Sequence, residues 1–157
     1  MIVYHMNTTD NKSELQRICV IDGQGGGIGS AVIKKLKGLF GETVEIIALG
    51  TNAIATSQML KSKANRGASG ENAIVQTVGN VDIIIGTVGI IIAHAMMGEV
   101  TPKMAEAVAS SRAKKLLIPL TQENLEIVGI ASIPLPHLIE ALIQENLKNF
   151  FESPEDG

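Results

Sequence analysis

The chain has one cysteine, one tyrosine and no tryptophan in 157 residues. A lone Cys19 cannot close an intrachain disulfide, so the fold must stand on its apolar core, and a reducing cytoplasm is the expected setting. Aromatic residues make up only 3% of the chain, the net charge is −3 and the pI is near 5.6. That balance excludes a basic, aromatic-lined nucleic-acid surface and gives no attraction to an anionic membrane. The apolar segment Ile83 to Met97 spans fifteen residues with no formal charge apart from His94 and is interrupted by Gly86 and Gly89. A membrane helix needs about twenty apolar residues, so no membrane partner is expected. The chain contains no G-x-x-x-x-G-K-[ST] loop, no G-x-S-x-G elbow and no C-x-x-C pair, and the spacing of His5, His94 and His137 suggests no metal site.

Glycine, by contrast, is plentiful, and five of the sixteen fall within residues 23–29. The run Asp22-Gly23-Gln24-Gly25-Gly26-Gly27-Ile28-Gly29 follows the apolar Ile18-Cys19-Val20-Ile21, which reads as a buried parallel strand. It precedes Ile28, Val32, Leu36 and Phe40, spaced as one face of a helix. At such a strand-to-helix junction a glycine backbone admits a phosphate closely, and the free N–H groups and positive dipole end of the helix favour an anion. All eight residues of the run are therefore candidate cofactor contacts. Asp22 is the odd member: a carboxylate beside phosphates repels them unless a cation intervenes, so its expected role is to accept hydrogen bonds from glycine N–H groups and hold the turn.

The common dinucleotide pattern G-x-G-x-x-G fails in every register, because the third position is Ile28 or Ser30. G-x-x-x-G-x-G fits Gly23, Gly27 and Gly29, which resembles the cofactor turn of the short-chain dehydrogenase/reductases. The resemblance covers Arg17 to Phe40 only. Catalysis in that family uses a Tyr-x-x-x-Lys pair far along a longer chain, whereas the one tyrosine here is Tyr4. A reductase of that mechanism is excluded.

Strand and helix patterns alternate along the chain. Further strands are expected at Val44 to Leu49, Val81 to Ile85, Lys115 to Pro119 and Ile127 to Ala131, with Asn65 to Gly70 as a polar loop. Helices are expected from Asn52 to about Lys63, Glu71 to Val78, Ile90 to Met97, Lys103 to Ser111 and Pro136 to Phe151. The pattern predicts a three-layer α/β domain over residues 17–152 with a mainly parallel five-stranded sheet. Residues 1–16 read as a mobile extension without a signal-peptide core, and residues 153–157 as a frayed tail. Leu120 to Glu126 is too short for a parallel crossover, so the last strand is expected to run antiparallel at an edge.

In such sheets ligands bind beyond the C-terminal strand ends, where strand order reverses. That rule adds Thr51 and Asn52, and Gly86, Thr87, Val88 and Gly89, to the glycine turn as candidate contacts. No acid follows the second strand to bind a ribose diol, and Lys61, Lys63 and Arg66 are nearby cations, so NADP is favoured slightly over NAD. The ordinary reading of those three side chains is solvated surface. His94 and Glu99 form an acid/base pair only if both face the cleft; a lone histidine on an apolar helix is more often structural. The apolar Ile90 to Met97 helix suggests a homo-oligomer contact through Ile91, Ile92, Ala95 and Met96, or else burial under the next helix.

Ile21 to Gly29, Gly50-Thr51-Asn52-Ala53, Ala64-Asn65-Arg66-Gly67-Ala68, Met97-Gly98-Glu99 and Leu117-Ile118-Pro119-Leu120 together resemble a short bacterial family known only as a domain of unknown function. The resemblance implies a Rossmann-like fold and a cytoplasmic, bacterial setting. It also makes the loop at Asn65-Arg66-Gly67 a candidate flap. Three functions fit the residues: a small nucleotide- or dinucleotide-binding sensor or accessory subunit; a small oxidoreductase or nucleotide-dependent transferase; and an interaction subunit whose turn is empty.

Overall fold

The computed structural model describes residues 15–120 and 124–153. Most of the expected N-terminal extension, and all of the expected tail beyond Ser153, lie outside the described residues. β1 (Gln16–Asp22), β2 (Val44–Gly50) and β4 (Ile83–Thr87) are buried along nearly their whole length. Runs of Ile, Val and Leu with no polar alternation can be buried this way only when helices cover both faces of the sheet. β3 (Arg66–Ser69) and β5 (Lys114–Ile118) close the two edges, giving the order β3-β2-β1-β4-β5 with every pairing parallel. Val20 lies opposite Ala48 on one side and Ile85 on the other, which places the strand ends of β1, β2 and β4 together.

The alternating side chains of β1 divide the core. Ile18 and Val20 pack with Val32, Ile33 and Leu36 of α1 (Gly27–Phe40), Met59 of α2 (Ala53–Lys61), and the C-terminal helical segment. Cys19 and Ile21 face the other layer, with Ile74 of α3 (Glu71–Thr77) and Met104 and Val108 of α4 (Pro102–Ser110). The closing segment runs as α5 (Leu135–Ala141), a π-helical turn (Leu142–Leu147) and α6 (Lys148–Glu152), and buries Ile139, Leu142, Ile143 and Leu147. This is a three-layer α/β, Rossmann-like architecture.

Three expectations need correction. No strand forms at 127–131: Gly129 adopts φ +86°, and Val128 is left 93% exposed. The sheet therefore has no antiparallel edge among the described residues. The fifth strand is instead β3, inside the segment expected to be a polar loop and flap. It is fully exposed, so it carries no hydrophobic pattern, and it is held by local polar chemistry. Asn65 Oδ1 accepts the Ile46 N–H at 2.8 Å, Asn65 N–H donates to the Ile46 carbonyl at 2.8 Å, and Thr56 Oγ1 bonds the Ala68 carbonyl at 3.2 Å.

The apolar stretch 90–97 is not a helix either. After a 3₁₀ turn (Val88–Ile91) the chain closes on itself, with His94 N–H bonded to the Val100 carbonyl at 2.7 Å and Val100 N–H to the Ala95 carbonyl at 3.1 Å. His94, Met96 and Met97 all take positive φ, between 57° and 69°, a conformation that interrupts any helix. Ala95 is buried in the protein's own core, and Ile91, Ile92 and Met96 pack against that core. Their apolar character is accounted for without a second subunit.

Candidate functional site

Strand order reverses between β1 and β4, so the turn leaving β1 sits at the reversal point, where ligands enter folds of this kind. Asp22, the last residue of β1, is buried and answers the turn with both oxygens. Gly23 N–H donates to Oδ1 at 2.8 Å and Gly29 N–H to Oδ2 at 2.7 Å. Asp22 thus holds the turn and satisfies one free N–H in the first turn of α1. Burial is the largest influence on its carboxyl and raises the pKa; the N–H groups of Gly29, Gly23 and Ile28 pull it down, and the charge of Glu99 pushes it up. The net shift is upward.

The glycines divide by cause. A Cβ on Gly23 would lie 2.5 Å from Thr51 Oγ1 and 2.7 Å from Met96 Sδ. Gly26 has φ +74°, and a Cβ there would lie 2.7 Å from the Ala55 carbonyl; on Gly29 it would lie 2.5 Å from Met59 Sδ. These three are demanded by packing. Gly25 and Gly27 are exposed, have no left-handed φ, and would present a Cβ to open space. Nothing among the described residues requires them to be glycine.

Across the turn lies a strap, residues 92–101, that the sequence did not place there. Glu99 Oε1 accepts three hydrogen bonds: from Gln24 N–H at 2.9 Å, Thr51 Oγ1 at 2.7 Å and Asn52 Nδ2 at 2.6 Å. Asn52 also donates to the Gln24 carbonyl at 3.1 Å, and its Oδ1 caps α2 by accepting from Ala55 N–H at 2.8 Å. Burial tends to raise the Glu99 carboxyl, but the bonds from Thr51, Gln24 and Asn52 outweigh it and hold its pKa below the ordinary value.

The candidate contacts are therefore brought together only in part. The turn, Thr51 and Asn52 converge. Gly86 and Thr87 belong to the buried end of β4, where a Cβ on Gly86 would lie 2.7 Å from Ile90 Cδ1 and 2.9 Å from the Ile21 carbonyl. Val88 and Gly89 begin the 3₁₀ turn behind them. Ile28 packs against the core beneath α1. The His94–Glu99 acid/base pair does not form: Glu99 is committed to the turn, and His94 is exposed with its backbone tied to the strap. Arg66 pairs with Glu45 at 2.5 Å, and Lys61 and Lys63 are exposed. Thr101 caps α4, its Oγ1 accepting from Met104 N–H at 3.2 Å. No metal-holding group of His, Cys, Asp or Glu occurs among the described residues. A groove of about 930 Å³ between Lys34 and Leu39 of α1 and His137 of α5 shares no residue with the turn.

Fold and turn together define a doubly wound domain with a glycine-rich turn at the reversal of strand order. The chain belongs to the family described as "Domain of unknown function (DUF3842)", which matches residues 17–151. No curated protein matches it. Among solved structures it is similar to a universal stress protein in complex with cAMP, at 20% identity and TM-score 0.40, over 66% of this chain and 96% of that one. It is also similar to a dodecameric FMN-dependent UbiX-like decarboxylase from Escherichia coli O157:H7, at 12% identity and TM-score 0.40, over 91% of this chain and 97% of that one. The likeness of the turn to short-chain reductases finds no support in the family match or in these two structures. Among the described residues no helix is long and apolar enough to cross a membrane.

Proposed function

We propose that the protein is a cytoplasmic nucleotide-binding sensor or accessory subunit, with the ligand's phosphates seated on the glycine turn. The observation that carries this reading is the pair Gly25 and Gly27: both lie at the N-terminal entry of α1, and neither is required by packing or by backbone conformation. Gly38 and Gly79 are equally unconstrained, but Gly25 and Gly27 stand together at a helix N-terminus where strand order reverses, and there the missing Cβ admits close approach of an external group. The rest of the turn fits the same ligand, since Gln24, Thr51 and Asn52 supply polar donors beside it. The base and ribose would extend toward the end of β2. There Arg66 is drawn off by Glu45 and is not free to pair with a 2′-phosphate, so NAD or a mononucleotide suits the site better than NADP. The carboxylates at the turn, Asp22 and Glu99, are both engaged in hydrogen bonds to it, so the reading is of binding rather than of catalysis.

A thermal-shift screen against NAD, NADH, NADP, NADPH, FAD, ATP, GTP and S-adenosylmethionine, with and without magnesium, tests the proposal. A ligand that binds only the folded state at 100 times its Kd stabilises by about 2.7 kcal/mol. A rise in melting temperature with one nucleotide names the class. A flat response selects the second reading, an interaction subunit whose turn is filled by its own Glu99. The three donors already taken by that carboxylate favour this alternative.

A further inference from the structure

We infer that the strap 92–101 is an intramolecular competitor for the ligand, with Glu99 as a resident anion that a phosphate must displace. The inference rests on the nucleotide reading of the turn and adds its regulation. Its basis is the convergence of three donors from two places in the chain, the glycine turn and the end of β2, on a single oxygen. The Gln24 backbone N–H, the Thr51 hydroxyl and the Asn52 amide all point at Glu99 Oε1, at 2.6 to 2.9 Å. A point served by three donors beside a helix N-terminus is an oxyanion position, and a phosphate oxygen asks for the same geometry. Glu99 fills it from a segment more than forty residues away in sequence from each of its partners.

The strap's own backbone shows why such a filling can be reversed. His94, Met96 and Met97 carry side chains in the left-handed region, a disfavoured conformation that contacts elsewhere must hold in place. Two of those contacts are made at the site: Glu99 on its three donors, and Met96, whose sulfur closes the space above Gly23. Releasing Glu99 gives up three charge-assisted bonds but lets strained residues relax, and a phosphate then takes over the same three donors. Ligand entry and strap release are thereby one exchange. The consequence is a sensor output, because a released strap presents Met96 together with Met97, which is already 96% exposed at its tip.

The test uses inorganic pyrophosphate and NAD as probes, with the full chain as wild type, Glu99→Ala and Met96→Ala. Met96→Ala loosens the strap without altering charge, so it separates strap release from simple relief of repulsion. The expected result is binding tightened by about tenfold or more in both variants, as when a closed fraction that taxes affinity is removed. In the wild type, pyrophosphate is expected to speed amide exchange at His94 and Val100 while Gln24 stays protected, its N–H having passed from carboxylate to phosphate. Tightening in Glu99→Ala alone would show charge repulsion without strap release and overturn the inference. Weaker binding in Glu99→Ala would make Glu99 a ligand contact and overturn it equally. Equal binding in all three proteins would leave the nucleotide reading intact and remove the competition. Binding in none would remove both.

Discussion

Replacing Gly27 with valine separates a glycine kept for a ligand from one kept for packing. Beyond its chain neighbours and the backbone of its own helix, no described atom lies within 4 Å of a Cβ built at Gly27, and its φ is outside the left-handed region. The folded protein therefore has room for the side chain. Losing glycine's freedom in the unfolded chain stabilises by about 0.4–1 kcal/mol, and valine's restricted rotamer in a helix returns roughly 0.5 kcal/mol of that. The expected net change in stability is within about 0.5 kcal/mol, a melting shift of no more than about 2 °C for a domain of this size. Binding should respond quite differently. A branched side chain at the entry of α1 fills the space a phosphate would use, so the stabilisation of about 2.7 kcal/mol conferred by saturating nucleotide should vanish. The assay is a pair of melts, with and without the nucleotide found by screening, on wild type and Gly27→Val. Gly29→Val is the contrasting control. Its Cβ would lie 2.5 Å from Met59 Sδ and 3.0 Å from Asp22 Cβ, and such overpacking costs about 1–3 kcal/mol with or without ligand. A Gly27→Val protein that melts like wild type and still gains full stabilisation from nucleotide refutes the argument that this opening holds the phosphate.

Three other perturbations have directions fixed by the structure. Asn65→Ala strips the buried Ile46 N–H of its acceptor, so it should cost about 1–3 kcal/mol and lower the melting temperature by about 2–4 °C for each kcal/mol, read by thermal melting. Cys19 is fully buried, and burial pushes its thiol pKa up, so a thiol reagent should label the native protein no faster than it unfolds; rapid labelling in the absence of denaturant would contradict the buried β1. The Glu99 pKa is held below its ordinary value of 4.5, so the contribution of its bonds is complete above that pH and is lost as pH falls through the lower, folded value. The Gln24 amide shift followed by NMR should therefore move with a midpoint below 4.5, and a midpoint above it would contradict the bonding of Glu99.

The parts of the fold that follow from hydrophobic burial were legible in the sequence, and those that follow from polar geometry were not. Ile18 to Ile21, Val44 to Leu49 and the 3.6-residue spacing of α1 each carry their own signal, because a central strand must be apolar on both faces and a covering helix on one. β3 carries no such signal. It is a four-residue exposed edge built from Arg66, Gly67, Ala68 and Ser69, paired through Asn65 and Thr56 side chains that only the folded chain brings alongside. Ile127 to Ala131 carries the opposite error, an apolar pattern that Gly129 turns outward. At the site, the glycine run and Asp22 were readable, since the turn and its carboxylate are contiguous. Glu99 was visible only as an acid near His94. Its convergence on Gln24, Thr51 and Asn52 depends on the three left-handed residues that fold the strap back, and no pattern of polarity announces those.

Asp22→Asn tests which physical influence governs the turn. The carboxylate accepts from Gly23 and Gly29 through separate oxygens, whereas asparagine has one acceptor and turns an N–H toward the other donor. One buried bond is lost and one donor left facing a donor, a cost of about 1–3 kcal/mol. Against this stands the burial of a charge, which the variant abolishes. The folded pKa of Asp22 is raised, so burial outweighs the glycine N–H groups, and the native state holds its proton more tightly than the unfolded chain. The stability this confers is complete below the ordinary value of 3.8 and is lost as pH rises through the raised, folded value. Asparagine has no such dependence. The deficit of the variant should therefore be largest in acid and shrink toward neutral pH, measured by denaturant unfolding at several pH values. A deficit that instead grows with pH would mean that the hydrogen bonds dominate and that the turn is organised around a fully charged Asp22. In that case an incoming phosphate would face a permanent negative charge beneath the glycines as well as the displaced Glu99.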